Sequence, residues 1–253
     1  MLLSTIEGIA VVPIRDENPG QTTPYVTYGL IILNILAFLY EASLMGPSLE
    51  TFFHSWAVVP AELTASLQGI PGYSVPGEAV TLVTSQFLHA GLLHLGGNML
   101  YLWIFGNNVE DQMGHVRFLI FYLLCGILAG LAQYFFAANS GIPSLGASGA
   151  IAGVLGAYVL RFPQVRILGL VPIFLFFFTF RVPAVVFLGI WFIQQALYGF
   201  ASLGAPANIG MESGGIAYWA HAGGFVVGAI LGPIFGLFSS AGTKTFSEDT
   251  TTY

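Results

Sequence analysis

SLGASGAIAGVLGAY, residues 144–158, decides how this chain is read. Ser148 stands at the head of a charge-free run, and its neighbours Gly146, Ala147, Gly149 and Ala150 are all small. A helix that is apolar all round has no face to offer water and belongs in a core or a bilayer. The rest of the chain favours the bilayer. Of 253 residues, 56% are hydrophobic, 15% aromatic and only 7% charged, whereas about a quarter of a soluble domain is charged. Several runs approach the roughly 20 apolar residues that cross the hydrocarbon as a helix, and none alternates like a barrel strand. The sequence therefore predicts an all-α polytopic membrane protein embedded in a lipid bilayer.

Charge-free runs place six spans at about 26–43, 91–109, 117–137, 147–160, 183–200 and 216–238. The apolar segment 167–180 is short, contains Pro172 and lies between Arg166 and Arg181, so it reads as interfacial or re-entrant. With both termini cytoplasmic, this map puts Arg15, Arg117, Arg161, Arg166, Arg181 and Lys244 all inside, as the positive-inside rule favours. Glu50, Glu62, Glu78 and Glu212 then fall outside. Three segments follow: a cytoplasmic stretch 1–24, a six-helix domain 25–238 and a polar, unstructured tail 239–253. The first 24 residues lack the pattern of a cleavable signal, so the first span is expected to insert the protein. The long first outer loop, 44–90, carries Phe52, Phe53 and Trp56 among polar residues and reads as a segment along the outer interface. A net charge of −6 with no basic cluster gives no footprint for nucleic acid. Cys125, in mid-span, reads as a small buried hydrophobe.

Polar residues inside a membrane are expensive, and each is a functional hypothesis. Ser148 opens the fourth span, where unpaired backbone N–H groups favour an anion; a cap or small-residue packing is the alternative role. His221, near the outer end of the sixth span, offers a general base or a structural hydrogen bonder. The two fall at the same outer depth under the six-span map. Gly224 and Gly228 share the face of His221, while Ala152 and Gly156 share that of Ser148, so these helices can approach closely. His94 and Asn98, four apart in the second span, could donate to a developing oxyanion or bond between helices. His89 lies off their face and reads as an outer-loop structural residue. No Asp or Glu is found in a span at the depth of Ser148 and His221, which points to a Ser–His dyad rather than a triad.

These motifs, G-x-S-G in the fourth span, H-x-x-x-N in the second and A-H-x-x-G-x-x-x-G in the sixth, together resemble the rhomboid family of intramembrane serine proteases over residues 25–238. The resemblance implies a six-helix bundle with Ser148 as nucleophile and His221 as general base. It further implies an oxyanion hole from His94, Asn98 and the backbone of Ala147 and Ser148, and transmembrane protein substrates cut without metal or cofactor. By the same resemblance the active site opens to the outer side and the membrane is a prokaryotic plasma membrane. The alternative within the resemblance is an inactive relative that binds transmembrane helices. Gly146, Gly149, Gly156, Gly224 and Gly228 are expected to pack around the site. Many family members rest the histidine on an aromatic four residues after the serine, a position held here by Ala152. A substrate gate is expected from Trp191 and Phe192 facing Trp103 or Tyr101.

Overall fold

The computed structural model describes residues 4–6, 9–173, 176–203 and 217–239. The elements run β1 (Ser4–Ile6), β2 (Ile9–Asp16), α1 (Tyr25–Glu41), α2 (Pro47–Trp56), α3 (Pro60–Leu67), α4 (Val75–Thr84), α5 (Leu92–Tyr101), α6 (Asn107–Met113), α7 (His115–Ala137), α8 (Ser148–Arg161), β3 (Arg166–Ile173), β4 (Phe176–Pro183), α9 (Ala184–Ser202) and α10 (Tyr218–Ile234). The tail beyond 239, together with Glu212 and Lys244, lies outside the described residues.

The chain is mostly helical, and α8 is its axis. Every residue from Ser148 to Tyr158 is buried, so α8 is walled in by other helices rather than by lipid. It packs most extensively on α10, then on α7. Glycine makes the α8–α10 crossing possible: a methyl group on Gly228 would overlap the Gly153 carbonyl, and one on Gly156 would overlap that of Phe225. Such close backbone approach is the use of small residues between helices in a membrane. Cys125 is buried against Gly153, as a small hydrophobe. Among the described residues, α7 and α9 are long and apolar enough alone to cross a membrane; α1, α8 and α10 are apolar but shorter.

The second apolar run is not one regular helix. α5 passes into a π-helical turn, Leu102–Gly106, and then into α6, which Gly114 ends at φ 77°. Glu110 and Asp111 on α6 fasten the preceding chain. α1 starts at Pro24 with no side-chain cap of its own. The buried Glu110 carboxylate supplies one, accepting from the Val26 N–H (2.9 Å), the Thr27 N–H (2.8 Å) and the Thr27 hydroxyl (2.7 Å). A carboxylate against a helix start is favoured by both hydrogen bonding and the helix dipole. Asp111 accepts from the backbone N–H groups of Gln21 and Thr22.

The all-α expectation is corrected by a four-stranded antiparallel sheet of order β1-β2-β3-β4. The segment 167–180, expected to be interfacial or re-entrant, is a β-hairpin whose register runs from Arg166↔Pro183 to Ile173↔Phe176. Its free side takes up the N-terminal strand, from Val12↔Leu170 to Asp16↔Ile167. The physical reason is that 167–180 is too short to cross as a helix and, being rich in Val, Ile and Phe with Gly169 and Pro172, satisfies its backbone by pairing instead. Asp16 ties the sheet to the bundle, accepting from the Asn108 side-chain amide (2.9 Å) and the Tyr158 hydroxyl (2.5 Å).

The first loop carries helices of its own: residues 44–90 include α2, α3 and α4. Pro47 and Pro60 start two of these helices and Ser74 caps the third.

Candidate active site

The loop 138–147 delivers Ser148, and the first-loop helices hold that loop in place. Val58 and Ser144 exchange both backbone hydrogen bonds (2.7 and 3.1 Å), and the Gly146 N–H donates to the Ser85 carbonyl (2.8 Å). Gly146 has φ 126°, a conformation reserved for glycine. A Cβ there would also press within 2.8 Å of the His94 ring. Gly146 thus lets the chain turn sharply into α8 while His94 sits against the turn, next to Ser148.

At that turn the structure brings two of the expected site residues together. His221, on the first turn of α10, places Nε2 2.8 Å from Ser148 Oγ, and both side chains are buried. The other ring nitrogen, Nδ1, lies 2.8 Å from Gln195 Oε1 on α9. An amide oxygen can only accept, so Nδ1 carries the proton and Nε2 presents its lone pair to the serine hydroxyl. The ring also leans on Trp191, one turn before Gln195, with centroids 5.8 Å apart. Trp191 therefore supplies the aromatic support that Ala152 does not. Gln195 escaped the sequence reading although the signal was there: a glutamine in mid-run carries the same cost as the residues that were singled out.

His94 and Asn98 occupy α5 as anticipated by their spacing. One Asn98 amide N–H donates to the His94 carbonyl (2.9 Å), and the side chain is buried. His89, expected to have a structural role in the outer loop, lies in the loop before α5, buried edge-on to His94, with ring centroids 5.1 Å apart. Glu41 corrects a further expectation. It ends α1 buried at the Ser148 end of the bundle, where its carboxylate accepts from the His89 backbone N–H at 3.1 and 3.3 Å. It was overlooked because it closes its run, where a carboxylate reads as an ordinary helix end. The aromatics expected to face one another at a gate make other contacts: Trp191 is buried at His221, Phe192 stacks on Phe225 at 4.7 Å, and Trp103 stacks on Tyr28 at 5.3 Å.

The packing glycines meet as close neighbours. A methyl on Gly224 would collide with the Gly149 carbonyl, and one on Gly149 would approach Ala129 to 2.8 Å. Beside Ser148 lies a small recess, lined by Val58, Ser85, Gln86, Gly126, Ala129 and Ala220 among others. Most of the residues around it are glycine, alanine or serine. Ala147 precedes the helix, and the backbone N–H groups of the first turn have no intrahelical partner.

A sequence model of the Rhomboid domain matches residues 76–238, which include Ser148, His221, His94 and Asn98. The chain belongs to the rhomboid family. It is therefore an integral membrane protein, of a family whose members are generally intramembrane serine proteases. Rhomboid protein 1, mitochondrial, of Saccharomyces cerevisiae is 32% identical over 157 residues, covering 60% of this chain and 41% of that protein. Rhomboid protease GluP of Bacillus subtilis is 48% identical over 81 residues, 32% of this chain and 15% of GluP. The human presenilin-associated rhomboid-like protein, mitochondrial, is 38% identical over 101 residues, 39% of this chain and 26% of that protein. The matched stretches thus span less than half the length of each of these relatives. Two of the three rhomboid relatives are mitochondrial by name, which takes support from the expectation of a prokaryotic plasma membrane.

Proposed function

We propose that this chain is an intramembrane serine endopeptidase that cuts transmembrane protein substrates. The observation that carries the proposal is the buried chain of hydrogen bonds from Gln195 through His221 to Ser148. A serine hydroxyl is a weak nucleophile until an adjacent base takes its proton. His221 Nε2 removes that proton as Ser148 Oγ bonds to the scissile carbonyl carbon, and the imidazolium then gives it to the departing amine. Water enters next and attacks the acyl-serine as it loses a proton to the same Nε2; the imidazolium returns that proton to Ser148 Oγ as the Oγ–C bond breaks and the second product leaves as a carboxylic acid. Gln195 is a positioning residue in this scheme, holding the tautomer that a carboxylate holds in the usual triad.

The oxyanion that forms at the carbonyl is met by the N–H groups where α8 begins, at Ala147 and Ser148, with His94 and Asn98 beside them. The small-walled recess suits a small side chain at the cut. In the bilayer, α1, the α5–α6 unit, α7, α8, α9 and α10 form the six spans. α8 runs inward from Ser148 and α10 inward through His221. Both termini then lie on the face that carries Arg117, Arg161, Arg166 and Arg181, and the site opens to the other face.

The test is labelling of the purified, detergent-solubilised protein with a fluorophosphonate, which needs no substrate. Wild type is expected to label, and Ser148→Ala and His221→Ala to abolish labelling without loss of fold. Folded wild type that resists the probe, beside a rhomboid protease that reacts with it, overturns the proposal in favour of a rhomboid-like protein that binds transmembrane helices without cutting them.

A further inference from the structure

The β3–β4 hairpin ends in an apolar surface that the protein's own core does not cover. Strand residues alternate between the two faces of a sheet. Three consecutive phenylalanines on β4, Phe176, Phe177 and Phe178, are nevertheless 70%, 69% and 55% exposed, so both faces of the hairpin's far end are bare. Its near end is fastened. β2 pairs with β3 as far as Leu170, Ile167 is buried, and the Arg181 guanidinium donates to the Glu17 carboxylate at 2.8 Å. β3 runs on beyond Leu170 to Ile173, a further ~10 Å at the usual strand rise.

We propose that the far end of this hairpin rests in the lipid bilayer, at the boundary between headgroups and acyl chains, on the face opposite Ser148. Continuity selects lipid as the occupant. Pro183 ends β4 and directly precedes α9, whose exposed residues Val186, Ile190, Ile193 and Leu197 form the outward apolar surface of a helix long enough to cross the membrane. The bare phenylalanines therefore extend a surface that already faces lipid. Charge agrees with that placement. Arg161, Arg166 and Arg181 surround the hairpin's base, and no charged residue lies between 167 and 180. Cations thus sit where anionic headgroups are found and aromatics beyond them.

The backbone limits the depth. β4 is the edge of the sheet, so its outward N–H and C=O groups have no strand partner among the described residues. An open sheet edge is not tolerated in hydrocarbon, but water reaches it at the headgroup boundary. The hairpin is consequently a shallow anchor rather than a re-entrant span.

The experiment places a nitrobenzoxadiazole fluorophore on Phe177→Cys in the full chain, reconstituted in vesicles of phosphatidylcholine and phosphatidylglycerol. Wild type, whose Cys125 is buried, serves as the labelling blank. Leu197→Cys marks a lipid-facing site and Gln21→Cys a water-facing one. The expected result is blue-shifted emission at 177, quenched more strongly by lipid carrying a nitroxide near the headgroup than by lipid carrying it deep in the chain. Phe176→Cys repeats the measurement should the first variant fail to fold. Emission like that of Gln21→Cys, unquenched at either depth, overturns the proposal. So does oxidation that joins two Phe177→Cys copies through their β4 edges, which would assign the surface to a second copy of this chain. Neither outcome depends on whether the protein cleaves peptides.

Discussion

Replacing Gln195 by leucine isolates the outermost hydrogen bond of the site. Leucine is close to glutamine in volume, so the space beside Trp191 stays filled while the acceptor at 2.8 Å from His221 Nδ1 is removed. Gln195 and His221 are both buried, so water cannot take the acceptor's place. Leaving a buried donor unpaired costs about 1–3 kcal/mol, and a ring free to turn or switch tautomer loses the geometry at Ser148. If that cost falls on the reactive state, the rate drops by roughly 5- to 150-fold, at about 1.4 kcal/mol per factor of ten. The assay is the second-order rate of fluorophosphonate labelling, read beside the thermal midpoint in the same detergent. Gln195→Glu keeps an oxygen acceptor and should recover most of the rate. A folded Gln195→Leu protein that labels as fast as wild type would falsify the positioning role while leaving Ser148 and His221 untouched.

Other expectations concern the scaffold. Gly228→Ala pushes a methyl into the Gly153 carbonyl and should lower the thermal midpoint by the equivalent of about 1–3 kcal/mol. Gly189→Ala on α9 meets nothing within 4 Å and should leave the midpoint unchanged or raise it; equal effects of the two would refute the close-crossing argument. Burial holds the Asp16 carboxyl above its ordinary value of 3.8, against the smaller opposing pull of its Tyr158 hydrogen bond. A raised folded-state value means stability that is present below the unfolded value and lost as pH climbs through the raised one. The wild-type midpoint should therefore fall as pH rises from about 4, and Asp16→Asn should flatten that part of the curve; parallel curves for the two proteins would remove Asp16 as the cause. Gly146→Ala combines a strained φ with a clash on His94, so labelling should be lost together with stability, whereas loss of neither would show that the loop can relax.

Ser148 and His221 were legible because a membrane makes polar residues conspicuous, and because a six-span map sets them at one depth. The glycine pattern around them was legible for a similar reason: residues spaced by four on a helix declare a shared face. What stayed hidden depends on contacts between distant parts of the chain. β2 and β3 pair across about 150 residues, and their apolar faces show no period of two from which a strand could be read. Nothing in the sequence around Glu110 reveals its role, which is fixed by Thr27, more than 80 residues earlier. Trp191 was assigned to a gate because large aromatics on a span look lipid-facing, and only packing against His221 turns it inward.

The π-helical turn at Leu102–Gly106 amounts to one residue too many within a helix. One residue is about 100° of rotation, so the two halves of this span are geared out of phase. The upper half sets His94 against the Gly146 turn before Ser148; the lower half aims Glu110 at the start of α1. A straight helix could satisfy one of those bearings, not both. Deleting a single residue from the turn should therefore act like a slipped tooth, swinging either the His94 end or the anchoring end away from its partner while the composition of the span hardly changes.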